Sequence, residues 1–111
     1  MTRKPVIRRQ RARRDVEDAA DYYDENGGEV LELRFIDAVE ETFSLIAEMP
    51  GIGSPCYAEI LQRSGLRCLR VKRFPYLAFY IEHPDRIDML RILHQRRDIP
   101  AIFQDDSHEH D

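Results

Sequence analysis

The segment from Leu66 to Asp98 places the strongest constraint on the fold. It contains three short runs rich in β-branched, aromatic and apolar residues, and turn signals at residues 74–76 and 83–85 separate them. Each turn signal contains a proline, whose missing backbone donor does least harm where the chain reverses. Short apolar runs separated in this way are typical of consecutive antiparallel strands. The segment therefore predicts a three-stranded antiparallel meander, on which the rest of the chain must pack.

Side-chain alternation predicts how this sheet divides its two faces. Because successive side chains of a strand point to opposite faces, we expect Leu69 and Val71 on one face. Arg70 and Lys72 are then expected on the other. The apolar face should continue through residues of the later strands, namely Leu77, Phe79, Ile81, Ile87, Met89 and Leu93. We therefore expect helices to cover one face, and the other face to be partly open and basic.

The region before the meander predicts one strand and two helices. Residues 5–9 form a short candidate strand, whose basic side chains suit a sheet edge. Apolar positions then recur at helical spacing over residues 11–23 and again over about residues 29–48. Residues 26–28, an asparagine and two glycines, lie between these helices and suit a helix C-cap. The two helices are therefore expected to form an antiparallel hairpin.

These elements define the predicted fold class and domain. The class is α+β, with an N-terminal strand, an antiparallel helix hairpin and a three-stranded antiparallel meander packed on the helices. At 111 residues the chain can form one domain with its own core, which we assign to residues 1–103. Residues 104–111 have no aliphatic or aromatic side chain, and we expect a mobile acidic tail there. The conformation of residues 50–65 is not predicted, although residues 57–62 are compatible with a helical turn.

The composition argues against several classes of function. No apolar run approaches the roughly 20 residues of a membrane span, and no secretory signal follows the basic start. We therefore expect a cytoplasmic protein. Cys56 and Cys68 occur without a metal-ligand spacing, so we expect two ordinary thiols, no disulfide and no zinc site.

The charged residues are strongly segregated along the chain. Residues 1–14 carry seven basic side chains and no acidic one, whereas residues 15–48 carry twelve acidic and one basic. Residues 49–97 carry nine basic and four acidic side chains, and residues 98–111 carry five acidic and none basic. The net charge of −4 is therefore the sum of segments of opposite sign. Basic strands set against acidic helices suit a partner with a complementary charge pattern, unlike the surface of a uniformly basic nucleic-acid binder.

The order of these elements and five short sequence segments resemble a known family. The segments are Phe35-Ile36-Asp37, Glu48 to Gly53, Gly65-Leu66-Arg67, Tyr76 to Tyr80 and Arg91 to Asp98. Together they resemble the RelE/ParE family of bacterial type II toxins over about residues 5–100, most closely its ParE branch. The resemblance implies a growth-inhibiting toxin of a toxin-antitoxin (plasmid stabilisation) system. It also implies a ParD-like antitoxin, encoded beside the toxin and bound to it in a hetero-oligomer.

The resemblance implies two different activities. Members of the RelE branch cut messenger RNA in the ribosome, whereas ParE-like members are reported to poison DNA gyrase and block replication. Metal-free RNA cleavage needs a base, an acid and cations that stabilise the transition state. Gyrase inhibition needs only a surface that recognises the target.

The residues that the RelE branch uses for cleavage are only partly present. By resemblance, Arg70 and Lys72 correspond to the paired strand cations. The arginine after the last strand corresponds to Arg96 or Arg97. Tyr76 replaces the arginine expected at the start of the middle strand, and no tyrosine follows the last strand. We therefore predict a non-enzymatic inhibitor of DNA gyrase, with a ribosome-dependent mRNA endoribonuclease and a non-toxic antitoxin-binding module as the alternatives.

Two sets of residues are candidates for binding macromolecules. The candidates for the target are Arg70, Lys72, Arg73, His94, Arg96 and Arg97. Arginine forms bidentate contacts with carboxylate or phosphate, so direct contact with nucleic acid stays open. The candidates for the antitoxin lie beside the second helix and the sheet, and are Phe35, Leu45, Met49 and Arg67. We predict no catalytic residue, no metal and no cofactor.

Overall fold

Four strands form one sheet, which carries helices on both faces. The computed structural model describes residues 3–106. The elements in chain order are β1 (Val6–Arg8), α1 (Gln10–Glu48), a 3-10 turn (Pro50–Ile52), α2 (Cys56–Ile60), β2 (Leu66–Arg70), β3 (Tyr76–Glu82), β4 (Ile87–His94) and α3 (Ile99–Asp106). The predicted α+β class, with an N-terminal strand before the helices and the meander after them, is confirmed.

Strands β2, β3 and β4 form the predicted antiparallel meander. The strand order is β1-β4-β3-β2, and β3 is antiparallel to both of its neighbours. β1 joins the outer side of β4 in parallel, with Val6 opposite Ile87 and Arg8 opposite Met89. β1 is therefore an edge strand, as its basic residues indicated, and β2 forms the other edge.

Helix α1 contains the predicted hairpin. Gly28 has φ 84° and ψ 176°, so it interrupts the helix and divides it into a first arm (residues 10–27) and a second arm (residues 29–48). Glycine adopts this positive φ without the steric penalty that a Cβ would bring. Asn26 remains in the first arm, where its side-chain amide donates to the Tyr22 carbonyl at 2.8 Å. The break is therefore confined to one residue of the three that the sequence suggested.

The two arms pack antiparallel on each other and together on the sheet. The rings of Tyr23 and Phe35 are 5.1 Å apart beside the break, and Ala12 and Phe43 line a common cavity towards the opposite end. The buried core between α1 and the sheet includes Ala12, Ala19, Ala20, Phe35, Val39, Phe43, Ile46, Val71, Ala78, Tyr80, Ile87, Met89 and Ile92. The apolar stripes of both arms are thus used in the core.

The opposite face of the sheet is also covered, so the prediction of an open basic face is wrong. Leu77, Phe79 and Ile81 pack there with residues of α2 and α3. Leu69 packs instead on the α1 side, because its pairing partner is Ala78 and residues that pair directly share a face. The prediction placed Leu69 on the same face as Leu77 and Phe79. In the structure β2 pairs with β3 one position away from that alignment, so Cys68 and not Leu69 lies opposite Phe79.

A bulge in β4 disrupts the predicted alternation of the last strand as well. The pairing of β3 with β4 shifts between Phe79 and Tyr80, which leaves Leu90 as an extra residue in β4. An extra residue reverses the alternation of side chains beyond it. Met89 therefore faces α1, whereas Leu93, four positions further on, packs on the opposite face.

Residues 99–106 form a helix that the sequence did not predict. Ile99 and Phe103 of α3 are buried, and the ring of Phe103 is 5.1 Å from that of Phe79 in β3. α3 therefore closes the second face of the sheet. It includes residues 104–106, the first three positions of the segment expected to be mobile, and residues 107–111 lie outside the described residues.

The connection between α1 and β2 is held by side chains of the sheet. The buried hydroxyl of Tyr80 donates to the Pro50 carbonyl at 2.7 Å and accepts the N–H of Gly53 at 2.9 Å. Arg67 donates to the Gly53 carbonyl at 2.7 Å. The connection is thus an ordered part of the domain, and α2 supplies the helical turn that the sequence allowed.

Candidate functional site

Two turns at one end of the sheet bring the predicted basic residues together. The N–H of Gln95 donates to the Pro75 carbonyl at 2.9 Å, which joins the segment after β4 to the turn between β2 and β3. Arg73 has φ 72°, as tight reversals often require of one residue. The exposed cations at this end are Arg70, Lys72, Arg73, Arg96 and Arg97, which we call the cationic corner.

The side chains of the cationic corner form no ion pair within residues 3–106. None of its five side chains forms an ion pair there, although Arg70 Nε donates to the Phe74 carbonyl at 3.3 Å. Arg8 and Arg91, by contrast, pair with carboxylates of α1. Unpaired arginines are free to make charge-assisted, bidentate hydrogen bonds to carboxylate or phosphate groups. The corner is therefore equipped to bind an anionic surface.

His94 supports the turn that carries Arg96 and Arg97. Its ring packs edge-on against Tyr76 with 5.2 Å between the centroids, and its Nδ1 accepts the N–H of Arg96 at 3.1 Å. Arg97 donates its own N–H to the His94 carbonyl at 3.0 Å. His94 thus holds the backbone of the turn that carries the two arginines. One of its ring nitrogens, Nδ1, is already engaged in a hydrogen bond.

Tyr76 is part of the aromatic core beside the corner. Its ring lies 5.3 Å from Phe35 and 6.2 Å from Tyr23. Burial raises the pKa of the Tyr76 phenol, Tyr22 raises it further, and only the nearby Arg97 opposes the change. The phenol therefore keeps its proton at neutral pH and is a poor candidate for a general base.

A groove lies between the second arm of α1 and the edge strand β2. Its volume is about 670 Å³, and its lining includes Asp37, Glu40, Glu41, Leu45, Glu48, Leu69, Arg70 and Lys72. The helix wall is acidic, the strand wall is basic, and Leu45 and Leu69 supply an apolar floor. We call this feature the helix–strand groove. A peptide with apolar residues and charges of both signs is complementary to it.

The four antitoxin candidates divide into two groups. Leu45 lines the helix–strand groove, and Met49 is half exposed at the end of α1. Phe35 is fully buried, so its side chain cannot serve as an exposed anchor. The guanidinium of Arg67 is engaged with the carbonyls of Gly53 and Gly51 and holds the connection before β2.

The acidic wall of the groove was not singled out in the sequence. The wall consists of four carboxylates at helical spacing. Glu40 and Glu41 follow Asp37 by three and four residues, and Glu48 follows Glu41 by seven, so all four lie on one face of the second arm. Helical spacing of carboxylates could therefore have identified the wall. Glu40 is also paired with Arg8 of β1, at 2.6 Å.

Candidate metal sites and membrane-spanning helices are both absent from the described part of the chain. Residues 3–106 contain no cluster of three or more histidine, cysteine, aspartate or glutamate side chains able to hold a metal ion. Among the same residues, no helix combines the length and the apolar character that a membrane crossing requires.

The fold and these surfaces define a class of protein. It is a small α+β protein whose surface carries a cationic corner and a charged groove. More specifically, the chain belongs to the family described as ParE toxin of type II toxin-antitoxin system, parDE, whose sequence model matches residues 6–99. The predicted membership of the RelE/ParE family and of its ParE branch is confirmed. The chain is thus a ParE-type toxin of a ParDE toxin-antitoxin system.

A solved structure supports the same fold. A chain from the structure titled "Chromosomal ParDE TA system from P. aeruginosa" superposes with a TM-score of 0.71. The two sequences are 22% identical, and the match covers 82% of this chain and 95% of the other. At this identity the likeness concerns the fold. A comparison with curated protein sequences found no match.

Proposed function

We propose that this toxin inhibits DNA gyrase by binding it, without catalysing a reaction of its own. We further propose that a ParD-like antitoxin neutralises it in a cytoplasmic hetero-oligomer. Family membership over residues 6–99 supports the first statement at the level of the ParE class. The choice of gyrase as the target rests on the family analogy, and the surfaces described above supply the physical means of binding.

The cationic corner is the observation that carries the proposal. Five exposed cations gathered by two turns, with no ion pair inside the described chain, form a surface whose charge an external partner can neutralise. A complex of gyrase with DNA offers both carboxylates and phosphates. Arg96 and Arg97 are the best placed contacts, because His94 fixes the backbone that carries them.

The second candidate function is ribosome-dependent mRNA cleavage, which the same cluster of cations favours. Two features weigh against it. Arg70 and Lys72 line the helix–strand groove and face its acidic wall. Tyr76, which replaces an expected arginine, is packed among aromatic rings and keeps its proton. The third candidate, an antitoxin-binding module without toxicity, uses the groove alone.

The helix–strand groove is the proposed seat of the antitoxin. An amphipathic segment can place apolar side chains on Leu45 and next to Met49, basic side chains against the helix wall, and acidic ones against Arg70 and Lys72. Antitoxin segments that fold on binding bury a large apolar surface, which offsets the free energy needed to order them. The proposal therefore predicts a tight complex.

The experiment that tests the proposal adds purified toxin, freed from antitoxin, to two reconstituted assays. We expect loss of gyrase supercoiling of relaxed plasmid, its recovery when antitoxin is added, and intact messages in a translation assay. The double variant Arg96→Ala/Arg97→Ala should inhibit gyrase at least about tenfold less potently. Arg13→Ala/Arg14→Ala, which removes the same charge from the first arm of α1, should inhibit like the wild type. Cleaved messages with normal supercoiling would favour the ribonuclease, and no effect in either assay would favour the non-toxic module.

A further inference from the structure

The backbone brings Cys56 near Cys68, although the two residues belong to different elements. Ser54 and Cys68 form an antiparallel bridge, with N–H to carbonyl hydrogen bonds of 2.8 and 2.9 Å in the two directions. Two residues further on, the N–H of Cys56 donates to the Ser54 hydroxyl at 3.2 Å, so the chain turns where α2 begins. Cys56 therefore lies only two residues from Ser54, the position that pairs with Cys68, and the two thiols are close enough for each to affect the ionisation of the other.

The two thiols have different environments. Cys56 is exposed, whereas Cys68 is only 7% exposed and packs in the core between the sheet and α2 and α3. Burial raises the pKa of the Cys68 thiol to about 12, and the neighbouring Cys56 thiol acts in the same direction. Because the thiolate is the reactive form, a reagent arriving from solvent meets Cys56 first, while Cys68 retains its proton.

We propose that Cys56 and Cys68 form an oxidation site for small disulfides such as glutathione disulfide, which converts the two thiols into a disulfide between α2 and β2. The Cys56 thiolate attacks one sulfur of the reagent, forms a mixed disulfide and releases a glutathione thiolate, which takes a proton from solvent. Cys68 then attacks the Cys56 sulfur while its proton passes to the departing second glutathione, which leaves as a thiol. Two cysteine thiols are oxidised while one glutathione disulfide is reduced to two thiols.

The site is separate from both surfaces used in the proposed function. Neither cysteine belongs to the cationic corner, and neither lines the helix–strand groove. In a reducing cytosol the dithiol is the resting form, and intracellular disulfides that do form are usually transient or sensing. Closing the loop between residues 56 and 68 restricts the unfolded chain, so the oxidised form should resist unfolding better than the reduced form.

The proposal is tested by equilibrating the full-length chain in mixtures of reduced and oxidised glutathione, followed by acid quenching, alkylation and mass spectrometry. We expect a product that has lost two hydrogen atoms, resists alkylation and yields a peptide linked through Cys56 and Cys68. The variant Cys68→Ser should stop at a glutathione adduct on Cys56. The variant Cys56→Ser should remain unmodified, because its remaining thiol is buried.

A matched measurement in urea shows whether the disulfide forms because the fold holds the two thiols near each other. At the same glutathione ratio the unfolded chain should form the disulfide at least about tenfold less readily, because the fold raises the effective concentration of one thiol at the other. Equal yields in the folded and unfolded chain would overturn the proposal. So would a folded wild type that lacks the linked peptide or accumulates the same adduct as Cys68→Ser.

Discussion

The carboxylate of Asp15 forms a bidentate ion pair with the guanidinium of Arg91. Arg91 Nε donates to Oδ2 at 2.7 Å and Nη2 donates to Oδ1 at 2.9 Å. The same carboxylate accepts the backbone N–H of Ile92 at 2.9 Å, next to the bulge at Leu90. Each side chain of the pair is only 12% exposed. Asp15 therefore ties the first arm of α1 to β4 where the pairing of the sheet shifts.

Removal of the Asp15 carboxylate should destabilise the domain strongly. Asp15→Ala leaves the guanidinium of Arg91 without its main partner in a largely buried position, and we expect the free energy of unfolding to fall by about 3–5 kcal/mol. Asp18→Ala, an exposed carboxylate on the same arm, should change it by less than about 0.5 kcal/mol. Urea unfolding of both variants provides the measurement. Equal stability of the two variants would contradict the structural role of the pair.

Gly28 should be required because of its backbone conformation and not because a larger side chain would clash with its neighbours. A Cβ at Gly28 would meet no atom within 4 Å, but the residue has φ 84°. Gly28→Ala should therefore lower the free energy of unfolding by about 1–3 kcal/mol through backbone strain. Gly51 is equally open but needs no positive φ, so Gly51→Ala is the matched control and should be nearly neutral. Thermal or urea unfolding would show whether the two variants differ.

The buried hydroxyl of Tyr80 should hold the connection before β2. Tyr80→Phe removes its hydrogen bonds to the Pro50 carbonyl and the Gly53 N–H. Leaving these groups unpaired should lower the free energy of unfolding by about 1–3 kcal/mol. Tyr22→Phe, at a tyrosine that is 56% exposed, is the control and should have little effect. Faster hydrogen exchange at Gly53 in the first variant alone would locate the change.

Stability should fall in acid because of Asp88. Burial raises the pKa of its carboxyl, but Arg9, Arg86 and His83 around it lower the pKa by more, and the net shift is downward. A carboxyl with a lowered pKa stabilises the fold above the pKa of the unfolded chain, about 3.9. That contribution is lost as pH falls below about 4 and through the folded pKa. Urea unfolding from pH 6 to about pH 3 should show a shallower decline for Asp88→Asn.

The control for this pH dependence is Asp85→Asn. The side chain of Asp85 is 76% exposed and contacts only Arg86 among the same cations. Its variant should therefore decline with acid as steeply as the wild type. If the free energy of unfolding of Asp88→Asn falls with acid as steeply as that of the wild type and of Asp85→Asn, other carboxyl groups govern acid unfolding.

Leu45 should contribute to antitoxin binding without supporting the fold. It lines the helix–strand groove and is only partly buried. Leu45→Ala should weaken the affinity for a ParD-like antitoxin at least about tenfold, as truncation of an interface anchor commonly does. Ile60→Ala removes an apolar side chain that is 66% exposed and lies outside the groove. It should leave the affinity unchanged in a calorimetric titration, and a similar loss in both variants would place the antitoxin elsewhere.

The candidate surfaces were only partly predictable from the sequence. The basic residues around the two turns were visible as clusters, but their convergence depends on contacts such as the hydrogen bond from Gln95 to Pro75. Phe35 and Arg67 show the opposite case. They were assigned to a binding surface, yet Phe35 is buried in the core and Arg67 secures a neighbouring loop.

The sequence alone determined the meander, the edge strand β1 and the helix hairpin. These features follow from periodicity, prolines at reversals and an asparagine followed by two glycines, all of which act within a few neighbouring residues. Only the tertiary structure decided which face each strand residue occupies, because the register of β2 on β3 and the extra residue Leu90 arise from pairing between strands. It also decided that α3 covers the second face and that Asp15 meets Arg91. The physical reason is distance along the chain: these contacts join residues up to 76 positions apart, and no local pattern encodes which of them will meet.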